Sequence, residues 1–354
     1  MLTNYLAIPI ASPVSPIVSI AFPQSEQVVA AQATASQAMP EQGLIQTRVE
    51  CIRFGTHDTN LYELRPVDGT ELPAAQPGAH IAVHLASKLV RQYSLLQAGE
   101  KPLSYLIGVK RDAASRGGSS FIHEKLRVGD RLMIEAPRNN FPLAPDARHT
   151  LLLAGGIGIT PMLCMWQQLK VQGHDVRLIY SCRSRKDALF LDTLDGEPGV
   201  TLRFDDEHKG SHLDMAAVLA GAPADAHLYC CGPLPMLQSF ERQTAAWPAG
   251  QVHVEYFSSA QEQATEGGFS VKLARAGITV AVASGQSVLA ALRDCGISTA
   301  SSCEEGICGA CETKVLAGIP DHRDSVLSDG EKLANDRMMI CCSGSKTPEL
   351  VLDL

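Results

Sequence analysis

Three cysteines within nine residues constrain this chain more than any other feature. Cys303, Cys308 and Cys311 fall in SSCEEGICGAC at C-x4-C-x2-C. Thiolates hold a [2Fe–2S] pair at that spacing, and the arrangement needs a fourth cysteine far downstream. Cys341 or Cys342 must supply it. Three thiolates this close can grip one iron pair only if the backbone coils tightly around it. Gly306, Gly309 and Ala310 leave room for backbone amides to point at the sulfurs. A structural zinc site is the competing reading, but zinc sites more often show paired C-x2-C knuckles than an asymmetric triplet with a distant single.

The chain has 354 residues, enough for two or three domains with cores of their own. With 45% hydrophobic and 19% charged residues it reads as globular. A formal net charge of −8 argues against nucleic acid or an anionic membrane as partner. Of eleven cysteines, four belong to the cluster pattern and the rest scatter through apolar stretches, so a reducing cytoplasm is expected rather than a disulfide framework. Residues 1–43 carry Pro9, Pro13, Pro16, Pro23 and Pro40, two acids and no Lys or Arg. They lack the basic region of a secretory signal and the arginines of a transit peptide, and are expected to be a disordered tail. The most membrane-like run, Leu151 to Trp166, is broken by Gly155, Gly156, Gly158 and Pro161 and is too short to span a bilayer.

From 44 to 144 the chain reads as short strands, LIQTRVECIRF, HIAVHLA, RQYSLL, LSYLIGVKR and RLMIEAP, separated by turn signals. Such spacing predicts a small antiparallel barrel, with one helix at Ser119 to Leu126. On a strand, Arg91 and Tyr93 share one face and Gln92 and Ser94 the other. A cation beside a ring suits a planar, phosphate-bearing ligand; an exposed Arg beside a half-buried Tyr is the plain alternative. The turn Ser115-Arg116-Gly117-Gly118-Ser119-Ser120 opens the helix, where free amides and hydroxyls make an anion site or simply a capped helix.

From 145 to 257 strands alternate with helices, which predicts a doubly wound parallel sheet. Its first strand runs into Gly155-Gly156-Ile157-Gly158-Ile159-Thr160-Pro161, with Thr160 expected as N-cap and Pro161 in the first turn. Glycines there let a pyrophosphate approach the helix N-terminus, or serve packing alone. The fourth strand ends in Cys230-Cys231-Gly232-Pro233 at the same carboxyl edge. Glu255 and Phe257 are expected to close the last strand, and Arg183, Ser184, Arg185 and Lys186 follow the second. Residues 258–268 read as a linker. Beyond it come a hairpin, a helix closed by Gly296, and late strands including MMICC. This last portion holds four Lys, four Arg and eleven acids, a net −3 that either steers toward a basic partner or is only a solvated face.

The cysteine stretch resembles plant-type ferredoxins, in which 29 residues separate the third and fourth ligands; that count from Cys311 reaches Cys341, leaving Cys342 a bystander. The R-x-Y-S and glycine-turn pair resembles the flavin domain of the ferredoxin reductase superfamily, and the G-G-x-G-x-T-P and C-G-P pair resembles its nicotinamide domain. The order of all three, from 44 to 354, resembles the phthalate dioxygenase reductase family. That resemblance implies a multidomain fold: an antiparallel β-barrel flavin domain (44–144), an α/β Rossmann-like nicotinamide domain (145–257), and an α+β, β-grasp ferredoxin domain (269–354). It implies FMN, rather than FAD, bordered by Arg91, Gln92, Tyr93 and Ser94, with phosphate on Gly117, Gly118 and Ser119. It implies NADH on Gly155, Gly156, Gly158, Thr160, Pro161, Arg183, Cys231, Gly232 and Pro233. Ser94, Cys231, Glu255 and Phe257 would stand nearest the reacting atoms, Cys231 by the nicotinamide and Phe257 over the flavin. Cys303, Cys308, Cys311 and Cys341 would hold the cluster. The implied activity is an NADH-dependent reductase, monomeric and cytoplasmic, feeding a Rieske-type oxygenase. Two other classes compete: an electron-transfer subunit of a dehydrogenase complex, whose last cysteine comes much sooner, and a non-enzymatic iron–sulfur module, which would need no nicotinamide site.

Overall fold

The structure is a computed structural model that describes residues 43–85, 89–112, 117–145, 147–259 and 261–354. The tail through residue 42, and Ser115 and Arg116 of the glycine-rich turn, lie outside the described residues.

The first module is built from β1 (Leu44–Thr56), β2 (Thr59–Pro66), β3 (His80–His84), β4 (Val90–Ser94), β5 (Tyr105–Lys110), α1 (Gly118–Lys125) and β6 (Arg131–Glu135). The strands run antiparallel in the order β4-β3-β6-β1-β2-β5. A bridge between Leu95 and Ile107 brings the two ends together as a barrel. Tyr62, Leu64, Ile81, Val83, Ile107 and Ile134 fill its interior. β2 is absent from the strands legible in the sequence, and the burial pattern explains why. Tyr62 and Leu64 face the barrel interior while their neighbour Leu61 packs into the core of the second module, so the expected alternation is lost. The helix begins one residue early, at Gly118, and Leu126 is already extended.

The second module contains β7 (His149–Gly155), α2 (Ile159–Val171), β8 (Asp175–Cys182), α3 (Leu191–Leu194), β9 (Val200–Phe204), α4 (Met215–Ala220), β10 (His227–Cys231), α5 (Leu234–Thr244) and β11 (Val252–Glu255). All five strands are parallel, in the order β11-β10-β7-β8-β9. β7 is buried on both faces, Leu152 and Ala154 on one side and Leu151 and Leu153 on the other, as a strand covered by two helical layers must be. The register sets Gly155 beside Ser181, Ala154 beside Cys231, and Cys231 beside Glu255 along one carboxyl edge. Two local expectations are corrected here. Gly156–Gly158 form a turn of 3-10 helix, so Gly158 is the cap of α2, and the Thr160 hydroxyl donates back to the Ile157 carbonyl at 3.0 Å. Phe257 lies two residues beyond the end of β11 rather than on it.

The third module contains β12 (Phe269–Leu273), β13 (Ile278–Val282), α6 (Val288–Asp294), β14 (Glu312–Ala317), β15 (Pro320–Asp321), α7 (Asp329–Ala334), β16 (Arg337–Met339), β17 (Gly344–Ser345) and β18 (Glu349–Leu352). Its main sheet is mixed, β13-β12-β18-β14-β16, with β12 parallel to β18 and the other neighbours antiparallel. Ser287 caps α6, accepting from the Ala290 amide, and Ser328 with Glu331 forms a capping box on α7. The late strand stops at Met339; Ile340 to Cys342 form a turn, which frees Cys341 to face the cysteine loop. The polar stretch before β12 is fastened on its far half: the Ala264 amide donates to the Cys342 carbonyl at 2.8 Å, and Gly285 to Thr265 at 2.7 Å. Residues 42–354 form one compact unit.

The carboxyl edge of the parallel sheet depends on one backbone approach. A Cβ on Gly158 would stand 2.1 Å from the Cys231 carbonyl oxygen, and no flexible side-chain end is there to yield. Gly158→Ala is therefore expected to destabilise the protein by about 1–3 kcal/mol, the usual cost of overpacking. Gly250→Ala, where nothing lies within 4 Å, serves as the neutral control. Thermal unfolding of the two variants beside wild type checks this.

Candidate active site

The three modules open onto one cavity of about 650 Å³. The barrel supplies Arg91, Gln92, Tyr93, Ser94 and Ser119; the parallel sheet supplies Gly155, Gly156, Gly158, Thr160, Arg183, Gly232 and Pro233; Phe257 lies between them. The third module contributes Cys303, Glu305 and Ile307. β4 is the terminal strand in the sheet order, and Arg91 to Ser94 on it all line the cavity. Arg91 crosses the start of α1: a Cβ on Gly118 would meet its Nε at 2.5 Å and its Cγ at 2.8 Å. Gly117 caps that helix in the left-handed conformation, at φ 94°. A guanidinium lying on a helix N-terminus is a place for an anionic group. The Ser119 hydroxyl accepts from the Asp112 amide at 3.1 Å. Gly117, Gly118, Pro161 and Cys231 do not line the cavity. Cys231 is fully buried, and burial, with Glu255 adding to it, holds its thiol well above the ordinary range.

The cysteine loop is coiled by three residues with left-handed backbone, Glu304 (φ 57°), Gly306 (φ 71°) and Gly309 (φ 75°). Its amides turn inward: Glu305 donates to the Cys303 sulfur at 3.3 Å and Cys303 to the Cys308 sulfur at 3.5 Å. The Cys303 and Cys308 thiols lie within reach of each other, as do those of Cys311 and Cys341, with Cys342 also beside Cys341. Cys303 is drawn down to about 7 by its thiol partner and then by surrounding amides, while Cys311 is raised by its thiol partner first and by burial second. Two adjacent pairs ringed by inward amides suit two irons, each taking two thiolates, so the residues present fit a [2Fe–2S] group. Cys342 does something else. Its sulfur sits under Gly306, 2.5 Å from where a Cβ would be, and donates to the Met339 carbonyl at 3.7 Å.

Comparison with known proteins agrees with this geometry. The family described as "2Fe-2S iron-sulfur cluster binding domain" matches residues 271–345, and "Oxidoreductase NAD-binding domain" matches residues 152–242. The phenoxybenzoate dioxygenase subunit beta of Ectopseudomonas oleovorans is 48% identical over 311 residues, covering 88% of this chain and 97% of that protein. The vanillate O-demethylase oxidoreductase of Pseudomonas putida is 47% identical over 299 residues, covering 83% and 94%. The solved structure of phthalate dioxygenase reductase is similar at a TM-score of 0.69 and 36% identity, covering 89% of this chain and 99% of that one. The chain belongs to the phthalate dioxygenase reductase family. It is an oxidoreductase that uses NADH, a flavin and a [2Fe–2S] cluster.

A second cavity of about 130 Å³ adjoins the first in this reductase, sharing Gln92, Ser94, Phe257 and Ile307 with it and adding His80, Asn140, Glu255 and Cys308. Burial pushes the Glu255 carboxyl up to about 8, and its Oε2 has no partner among the described residues. Burial, and then the charge of Arg138, hold His80 down to about 4, with its Nε2 likewise unpartnered. Both shifts favour the neutral form. Sequence reasoning missed His80 and Asn140; the available signal was register, since His80 lies directly opposite Ser94 across β3 and β4. In the basic cluster only Arg183 faces the larger cavity. Arg185 is taken by Glu207 at 2.6 Å and Asp195 at 3.5 Å and lies over the Phe204 ring, an arrangement that suits a dinucleotide without a 2′-phosphate.

Two outcomes are expected. Replacing Cys303, Cys308, Cys311 or Cys341 with Ser abolishes the cluster's visible and electron-spin spectra and its iron, whereas Cys342→Ser retains them nearly in full. For Glu255, the carboxyl is protonated in both states below its ordinary 4.5. As pH rises toward about 8 only the unfolded chain ionises, so a stabilising contribution present at low pH is lost. The melting temperature of Glu255→Gln should therefore gain on wild type between about pH 5 and 8 and level off above. A melting series at constant ionic strength measures it.

Proposed function

We propose that this protein is the reductase component of a two-component Rieske-type oxygenase, a monomer that takes electrons from NADH through FMN and its cluster to the oxygenase. The oxygenase's substrate would be an aromatic acid or a similar small molecule. The observation that carries this reading is the shared cavity, whose wall includes the barrel strand, the glycine edge and Cys303 together. Relatives named as subunits of dioxygenase and demethylase systems support an oxygenase as the acceptor.

When bound, FMN accepts a hydride's electron pair and gives up electrons singly, which the cluster carries one at a time. The protein binds, orients and shields. Arg91 and the N-terminus of α1 would hold a single phosphate, which favours FMN, while Gln92, Tyr93 and Ser94 would border its ring system. Gly155, Gly156 and Gly158 would receive the pyrophosphate of NADH at the start of α2. Phe257, 37% exposed, is free to cover the flavin until nicotinamide displaces it. A neutral Glu255 would place no fixed negative charge where hydride arrives. Domains at 44–144, 145–257 and 269–354, joined through 258–268, are part of the same proposal.

Anaerobic NADH should bleach the flavin and then the cluster, and released flavin should run as FMN on chromatography. A truncation after Ser259 should keep NADH-dependent reduction of ferricyanide within about twofold, since the flavin and nicotinamide modules retain their own cores. It should lose nearly all transfer to cytochrome c or to a Rieske oxygenase. An unchanged ratio of the two activities would mean that the flavin serves protein acceptors directly.

A further inference from the structure

Two amide side chains of the barrel reach across to the cysteine loop. Gln92 donates to the Ser302 hydroxyl, next to Cys303, and the Asn140 amide donates to the Cys308 carbonyl at 3.2 Å. The two contacts bracket the first pair of sulfurs. Gln92 belongs to the cofactor cavity itself, but Asn140 does not line it and touches the loop only from the adjoining smaller cavity. Asn140 has a firm base. Its neighbour Asn139 donates to the Pro77 carbonyl at 3.0 Å and accepts from the Phe141 amide at 3.1 Å. Phe141 on the other side is buried, edge-on to Tyr229. The segment is thereby pinned to both the barrel and the parallel sheet. On the receiving side, the Cys308 carbonyl is rigidly tied to a sulfur of the first pair.

We propose that Asn140 is a positioning residue for electron transfer from flavin to cluster, setting the distance and orientation of the Cys303–Cys308 edge against the cofactor cavity. The inference rests on the electron path given under the proposed function. Electron tunnelling falls steeply with separation, and among the described residues Gln92 and Asn140 make directional polar contacts across this module junction, so loss of one such hydrogen bond bears on that step more than on any other. Nothing is oxidised or reduced at Asn140; it holds geometry only. Asn140 takes no part in the hydride step itself.

The test is anaerobic single-turnover stopped-flow on full-length, cofactor-loaded protein, following flavin bleaching by NADH and then cluster reduction in wild type, Asn140→Ala, Asn140→Asp and Asn140→Gln. Expected are unchanged flavin bleaching and unchanged ferricyanide turnover in all four. Cluster reduction should be slower by about threefold to tenfold in Asn140→Ala, the rate equivalent of one net hydrogen bond. Asn140→Asp, which cannot donate, should be at least as slow, and Asn140→Gln, which keeps the amide, should recover part of the rate. Cluster content and midpoint potential should match wild type throughout. The proposal is overturned if Asn140→Ala transfers at the wild-type rate, if bleaching and transfer slow together, or if the variant loses its cluster. If the wild-type cluster is never reduced after the flavin, the proposed electron path is wrong instead, whatever the variants do.

Discussion

The hydrogen bond from Gln92 to Ser302 joins residues 210 apart in the chain, and the arrangement of the whole molecule can be read from it. A hydride brings two electrons to one atom, whereas an iron–sulfur pair takes them singly, so both sites must open onto a common space. That requirement places the terminal strand of an antiparallel barrel, the carboxyl edge of a parallel sheet and the tip of a cysteine loop around a single cavity. Each module is folded by its own core, and each core is separate except where Leu61, Leu96, Leu106 and Phe141 of the barrel enter that of the parallel sheet. The seam between barrel and sheet buries these apolar side chains beside polar contacts such as the Ala144 amide to the Tyr229 hydroxyl at 2.7 Å, while the seam between barrel and cysteine loop includes two side-chain amides.

The electrostatics follow from burial. Glu255 and His80 are titratable groups enclosed beside the cavity, with Glu255 Oε2 and His80 Nε2 unpartnered among the described residues, and desolvation favours the neutral form of each by opposite shifts, upward for the acid and downward for the base. Arg185, which does not line the cavity, is neutralised by two carboxylates rather than left for a ligand. Charge in this molecule is spent locally, with Arg91 the cation that reaches across the mouth of a helix at the cofactor cavity.

The features legible in the sequence are those whose chemistry demands a fixed local spacing. The cysteine triplet, the Gly155–Gly158 turn and the tetrapeptide Arg91 to Ser94 each act within a few residues, and each lines the cavity or forms the sulfur pairs. What escaped depends on tertiary context. β2 breaks the strand alternation because its two faces belong to different cores. His80 and Asn140 look like ordinary barrel residues until register and the fold of a module some 168 residues away bring them to the loop. The run before β12 reads as a linker by composition, yet Ala264 and Thr265 are hydrogen-bonded onto the ferredoxin-like module, a contact that polar composition does not reveal.

One molecule is expected to contain the whole path from flavin to cluster, because Arg91 to Ser94 and Cys303 line the same cavity. The most direct measurement is the rate of cluster reduction after flavin bleaching, followed anaerobically in wild-type protein over a wide range of protein concentration at fixed excess NADH. A first-order rate that does not change with protein concentration is the predicted result. A rate that rises in proportion to protein concentration would mean that electrons pass between molecules, and would contradict the account.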